Sequence, residues 1–167
     1  WGDYDNDGDF DLVVGGVDFY GSRHLKVFRN DGGSLVQDLT QTDLVPLFPC
    51  MVHWCDMNRD GFLDLVTVGA DSNGTLFTQV YVNGPNYELD KSMMLFKGDI
   101  GVTAGAFDFG DYNSDGYIDF ALTGKNSQNN LVTYIIRNYG AQIEAEIVGL
   151  NGIFSGWPAW GDYDNDG

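Results

Sequence analysis

The chain of 167 residues carries 25 acidic against 8 basic side chains, a formal net charge of −17. That balance excludes a nucleic-acid partner, which needs a basic face, and a content of 43% apolar and 14% aromatic residues excludes a disordered chain. No apolar run reaches the roughly 18 residues of a spanning helix, so no membrane span is expected.

The first residues, WGDYDNDG (1–8), recur as 160–167. Degenerate copies lie between them in the pattern Asp-x-Asp/Asn-x-Asp-Gly-x-x-Asp. The copies are Asp3, Asp5, Asp7, Gly8, Asp11; Asp56, Asn58, Asp60, Gly61, Asp64; Asp111, Asn113, Asp115, Gly116, Asp119; and Asp162, Asp164, Asp166, Gly167. Their first aspartates are 56−3 = 53, 111−56 = 55 and 162−111 = 51 residues apart, so the chain is an internal repeat.

In chain order, a first unit over 1–48 lacks its first strand, opens on the loop, and continues into the apolar runs DLVVG (11–15) and KVFRN (26–30). A second over 49–101 reads as four strands at 49–55, 63–69, 76–82 and 87–95, separated by Gly, Asn, Asp and Pro turns. A third over 102–153 repeats the plan with DFALTG (119–124) and YIIRN (134–138); residues 154–167 begin a fourth, with a first strand at 154–161 and a partial loop. Short, evenly spaced strands with an aromatic and a Gly per unit predict an all-β fold of propeller-type, four-stranded antiparallel blades. About three blades do not close a ring. The chain therefore reads as an incomplete ring or a segment of a longer array.

Alternating carboxylates in so short a loop repel one another unless a cation sits among them, and calcium takes six to eight oxygen ligands. Asp at positions one, three and five, the carbonyl of position seven (Asp9, Phe62, Tyr117) and the carboxylate of position nine (Asp11, Asp64, Asp119) supply such a set, while Gly at position six allows the turn. An EF-hand is excluded, because its bidentate Glu at position twelve is replaced here by Val14, Thr67 or Leu122. About three calcium sites are expected, with a fourth at Asp162, Asp164 and Asp166 completed by a neighbouring copy.

The aromatics before each loop (Trp1, Trp54, Phe109, Trp160) read as core anchors, and Tyr4, Tyr112 and Tyr163 inside the loops as surface contacts. Cys50 and Cys55, five apart along one strand, read as buried free thiols, a disulfide requiring a bend of the chain at Pro49. Asn73-Gly74-Thr75 is a glycosylation sequon at a hairpin tip. His24 reads as a surface residue and His53 as a core or hairpin residue; with no nucleophile motif near either, no enzymatic activity is expected.

The unit W-G-D-Y-D-N-D-G-D-F-D-L, with its apolar strand and following RND turn, resembles the FG-GAP/VCBS repeats of integrin-α-like propellers along the whole chain. The resemblance implies calcium in the loop between the first two strands of each blade, at the positions named above. It also implies an extracellular protein, with adhesion or glycan and protein binding as one role. The identity of 1–8 and 160–167 favours another: a structural repeat whose copies or adjoining repeats continue one another head to tail.

Overall fold

The computed structural model describes residues 1–90, 95–97, 100–140, 142–146, 150–162 and 164. Eleven strands are formed: β1 (Leu12–Val17), β2 (Arg23–Asn30), β3 (Leu35–Gln37), β4 (Cys50–Cys55), β5 (Asp64–Ala70), β6 (Leu76–Tyr81), β7 (Leu95–Lys97), β8 (Thr103–Gly110), β9 (Asp119–Lys125), β10 (Leu131–Asn138) and β11 (Gln142–Glu146). They make three sheets, β1-β2-β3, β4-β5-β6 and β7-β11-β10-β9-β8, in register with the sequence repeat. No helix occurs among the described residues. The fold is all-β and propeller-like, and the ring is not closed.

The sheets stack face to face because each strand alternates its side chains between two neighbours. Val13, Leu25 and Val27 of the first sheet pack against Trp54, Leu65 and Tyr81 of the second. Val66, Val68 and Val80, on the other face of the second sheet, pack against Phe120, Leu122 and Ile136 of the third. The middle strand β5 is consequently buried along its whole length, and each of its large apolar side chains, Leu65, Val66 and Val68, contributes about 1.5–3 kcal/mol.

The aromatic of one unit sits on the loop entrance of the unit before it. A Cβ at Gly2 would stand 2.8 Å from Trp54 Cδ1, and one at Gly110 2.7 Å from Trp160 Cγ, so glycine there serves a close approach. Trp54 is 5% exposed as an anchor should be. Trp1 is instead 70% exposed, so it is not a core anchor here. Tyr4 also departs from expectation: it is fully buried, its ring stacked on Trp54 at 5.4 Å, because position two of the loop points down between the sheets. Tyr112 is surface-exposed as expected, and Tyr163 lies outside the described residues.

Three strand expectations are corrected. Residues 87–90 do not form the fourth strand of the second unit; only Asp90 bridges to Val82. A turn at Gly84 leaves Tyr87 at φ 56°, and the Gln41 side chain takes the groups a ladder would pair, donating to Tyr87 O at 2.6 Å and accepting from Leu89 N at 3.0 Å. Residues 91–94 of that expected strand lie outside the described residues. The third sheet is not wholly antiparallel, since β7 adds to β11 in parallel. Residues 154–161 form no strand, and Pro158 among them lacks a ladder donor. They lie along the third sheet, with Ser155 N donating to Ala104 O at 3.1 Å and Trp160 N donating to the Asp108 carboxylate at 3.1 Å.

Cys50 and Cys55 are free, part-buried thiols at opposite ends of β4. Burial raises both, Cys55 to about 12, which leaves them protonated and unreactive.

Candidate metal centres

The three complete loops share one hydrogen-bonded frame. The position-one carboxylate accepts the backbone N–H groups of positions five and six: Asp3 from Asp7 and Gly8 at 3.0 and 3.1 Å, Asp56 from Asp60 and Gly61 at 3.1 and 3.0 Å, Asp111 from Asp115 and Gly116 at 3.1 and 2.8 Å. The position-five carboxylate then accepts from position seven, at 2.9 Å from Asp9, 2.9 Å from Phe62 and 2.8 Å from Tyr117. Gly8, Gly61 and Gly116 at position six have φ of 98°, 87° and 88°, a region that side chains resist. Position four is left-handed as well, at Asn6, Arg59 and Ser114 with φ of 54°, 63° and 55°, which residue type alone did not signal.

Position nine closes each loop from beneath. Asp11, Asp64 and Asp119 are fully buried. One oxygen of each accepts the position-two N–H, from Tyr4 at 2.9 Å, Met57 at 2.8 Å and Tyr112 at 3.0 Å. The other accepts the N–H of an asparagine at the end of β2 or β10 or two residues past β6, Asn30 at 2.9 Å, Asn138 at 2.8 Å and Asn83 at 2.8 Å. Burial raises all three carboxyls, Asp64 to about 6, against the pull of those hydrogen bonds.

Position three separates the loops. Asn58 and Asn113 donate to the position-five carboxylates of Asp60 and Asp115 at 2.9 and 2.8 Å. Asp5 has no proton to donate, and its Oδ1 is buried with no hydrogen-bond partner. Burial first, then the charges of Asp11 and Asp7, push its carboxyl up. Ligand oxygens of Asp3, Asp5 and Asp11 lie within 4.8 Å of one another. A hard cation fits this set, because it supplies a partner to the buried Asp5 Oδ1, which the nearby Arg29 charge does not hydrogen-bond, and all the donors are oxygens.

The other expected site residues fall as follows. At position seven, named in the sequence for the carbonyls of Asp9, Phe62 and Tyr117, the Asp9 carboxylate accepts from Gly32 N at 3.1 Å and the Phe62 ring meets Tyr87 at 5.9 Å. Tyr117 instead carries Arg59 over its ring at 5.5 Å. Asp162 and Asp164 are exposed, and Asp166 lies outside the described residues, so no fourth site is assembled among the described residues. Asn73 is exposed at the β5–β6 hairpin tip. His24 faces Asp18 at 3.0 Å, as a surface residue should. His53 is exposed rather than in the core, its ring edge-on to Phe109 at 5.0 Å.

Asn30, Asn83 and Asn138 were missed as site residues, although the sequence marks them: they are 83−30 = 53 and 138−83 = 55 residues apart, the spacings of the loops themselves. No curated protein and no solved structure matches the chain. The family profile described as FG-GAP-like repeat matches residues 3–67 and again 56–122, each match running from one aspartate loop through the next. A loop, buried closing carboxylate and following strand that recur in sequence and structure are thus matched twice over more than half of the chain, and the chain belongs to the FG-GAP-like repeat family.

Proposed function

We propose that the chain is a non-catalytic, extracellular, calcium-binding repeat protein whose units continue head to tail against adjoining repeats or further copies. The observation that carries the calcium reading is the orphaned Asp5 Oδ1 among the converging oxygens of Asp3 and Asp11. Asp3, Asp5, Asp7 and Asp11 of the first loop, Asp56, Asn58, Asp60 and Asp64 of the second, and Asp111, Asn113, Asp115 and Asp119 of the third hold the ion, joined by the position-seven carbonyls. Calcium suits them better than magnesium, which keeps its waters and demands a stricter octahedron. Calcium neutralises the carboxylates and so stabilises the folded loop over the unfolded chain.

The outer face of the first sheet supports continuation. Leu12 and Phe28 occupy the places of Leu65 and Tyr81 in the second unit (65−12 = 53, 81−28 = 53) and of Phe120 and Ile136 in the third (120−65 = 55, 136−81 = 55). Those four residues are 0% exposed beneath the preceding sheet. On the first sheet the same face is open, with Val14 47% and Leu35 46% exposed. Another unit of this kind has the shape and side chains to cover it. Asn73 is the glycosylation site this reading expects on secretion.

Sedimentation and electron microscopy with calcium and after chelation test the reading. Association in calcium that Val14→Asp abolishes supports it; folded, dispersed single chains in calcium refute the non-covalent form, and calorimetry without calcium uptake refutes the site. The second reading, a binding module for a protein or glycan, is favoured by the β1–β2 hairpin tip, where Phe19 and Tyr20 are 96% and 89% exposed side by side.

A further inference from the structure

We propose that Asn83 and Asn138 are positioning residues that couple each cation loop to the loop before it. This rests on the calcium reading above, but the observations are separate from the carboxylate cluster. Asn83 is 3% and Asn138 0% exposed. Each has a backbone N–H fixed on the position-nine carboxylate of its own unit, Asp64 or Asp119. Each then sends its side-chain amide across to the unit before: Asn83 Nδ2 donates to Tyr4 O at 2.7 Å, and Asn138 Nδ2 donates to Met57 O at 2.6 Å.

Tyr4 lies between Asp3 and Asp5, the position-one and position-three ligands of the first loop. Its N–H is held by Asp11 of its own unit and its C=O by Asn83 of the next. The strip of backbone that aims two ligands is therefore fixed from both sides. Met57 stands the same way between Asp56 and Asn58, held by Asp64 and Asn138. One path of hydrogen bonds results, Asp11 to Tyr4 to Asn83 to Asp64 to Met57 to Asn138 to Asp119. A second link crosses at the surface, where Asn6 Nδ2 donates to Gly61 O at 3.2 Å.

Ordering one loop fixes the carboxylate that holds the asparagine aiming the loop before it. Filling the second loop thus tightens the first, and filling the first tightens the second by the same factor, because coupling between binding sites is reciprocal. A contiguous path is not itself proof of coupling, so the prediction is directional: Asn83 serves the first loop and not the third.

The test is a calcium titration by calorimetry in two backgrounds, one keeping only the first loop (Asp60→Ala with Asp115→Ala) and one keeping only the third (Asp7→Ala with Asp60→Ala). Asn83→Ala is expected to weaken the first loop about tenfold, the size of one buried hydrogen bond, and to leave the third within about twofold. A purely structural role would lower both alike, and that result, or no change in either, overturns the proposal. Where the substituted chain fails to fold, the side-chain amide resonance of Asn83 is followed in the chain keeping only the first loop. A shift that saturates with calcium supports the coupling, and a resonance that does not respond overturns it. Calcium uptake by no loop overturns the calcium reading and the coupling together; normal uptake indifferent to Asn83 overturns the coupling alone.

Discussion

Asp64→Asn separates the two duties of the position-nine carboxylate. Asp64 is fully buried, and its two oxygens accept from Met57 N and Asn83 N, both at 2.8 Å. An asparagine keeps one acceptor and turns an NH2 group toward a backbone N–H, and one orphaned buried donor costs about 1–3 kcal/mol. Against this stands the charge. Burial raises Asp64 from 3.8 to about 6 in the cation-free protein. Its folded form therefore binds more protons than the unfolded chain between those values, so stability falls as pH rises through that window. The gap corresponds to about 3 kcal/mol of destabilisation at neutral pH, which the neutral amide relieves. Without calcium, Asp64→Asn is then expected to be neutral to mildly stabilising at about pH 7 and destabilising by about 1–3 kcal/mol at about pH 4.5. In saturating calcium at about pH 7 the variant falls below the parent, because the parent gains binding energy that an amide in place of the carboxylate gives up. Urea unfolding of calcium-stripped and calcium-saturated protein at both pH values measures this. A loss of stability that is the same in all four conditions refutes it and leaves the carboxylate with a hydrogen-bonding duty only.

Asp5→Asn gives position three of the first loop the asparagine of the other two, and should lower its calcium affinity roughly tenfold while raising its cation-free stability, both read by calorimetry and melting. Gly110→Ala places a Cβ 2.7 Å from Trp160 Cγ, on a ring held by the bond from its Nε1 to Asp108 O at 2.9 Å; overpacking of about 1–3 kcal/mol and altered Trp fluorescence are expected. At Asp38, burial raises the carboxyl, but hydrogen bonds from Tyr4, Thr40 and Gln41 outweigh it and hold the group below its ordinary value. A depressed folded value contributes stability above the unfolded pKa that is lost as pH falls through the folded one, so Asp38→Asn should flatten the acid limb of the melting-temperature profile below about pH 4.

What the sequence made legible was whatever repeats within a few residues. The Asp-x-Asp spacing, the position-six glycine and the apolar runs of β1, β5 and β9 are local signals, and each stands where the spacing puts it. Elements that depend on a distant partner were not legible. The strand expected at 87–95 lost its place to Gln41, some forty-five residues earlier in the chain, and no local pattern marks a glutamine as a substitute ladder. Tyr4 looked like a loop residue open to solvent, since nothing near it in sequence shows that Trp54 of the next unit lies against its ring. A third class carried a signal that only the period exposes. Besides the asparagines held by the position-nine carboxylates, the hairpin caps Asp18, Asp71 and Asn126 each accept two backbone N–H groups of a tight turn, and they too are 71−18 = 53 and 126−71 = 55 residues apart.

The same comparison between units explains where they differ. A loop without its ion must satisfy its own carboxylates, and the second and third loops do so by placing Asn58 and Asn113 as donors to Asp60 and Asp115. The first loop replaces that donor with Asp5 and adds Asp9, so it gathers more negative charge with fewer internal partners. It is therefore the loop most dependent on a cation; like the second loop at Met57 O, it is gripped from the next unit at its position-two carbonyl, Tyr4 O, and its Asn6 side chain adds a bond to Gly61 O. Asn83 holds the position-two carbonyl between the ligands Asp3 and Asp5, where the first loop lacks the side-chain bond from position three to the position-five carboxylate. A loop that is both strongly charged and held in shape by its neighbour suits tight binding, because the shape is fixed before the ion arrives and little ordering entropy remains to oppose it.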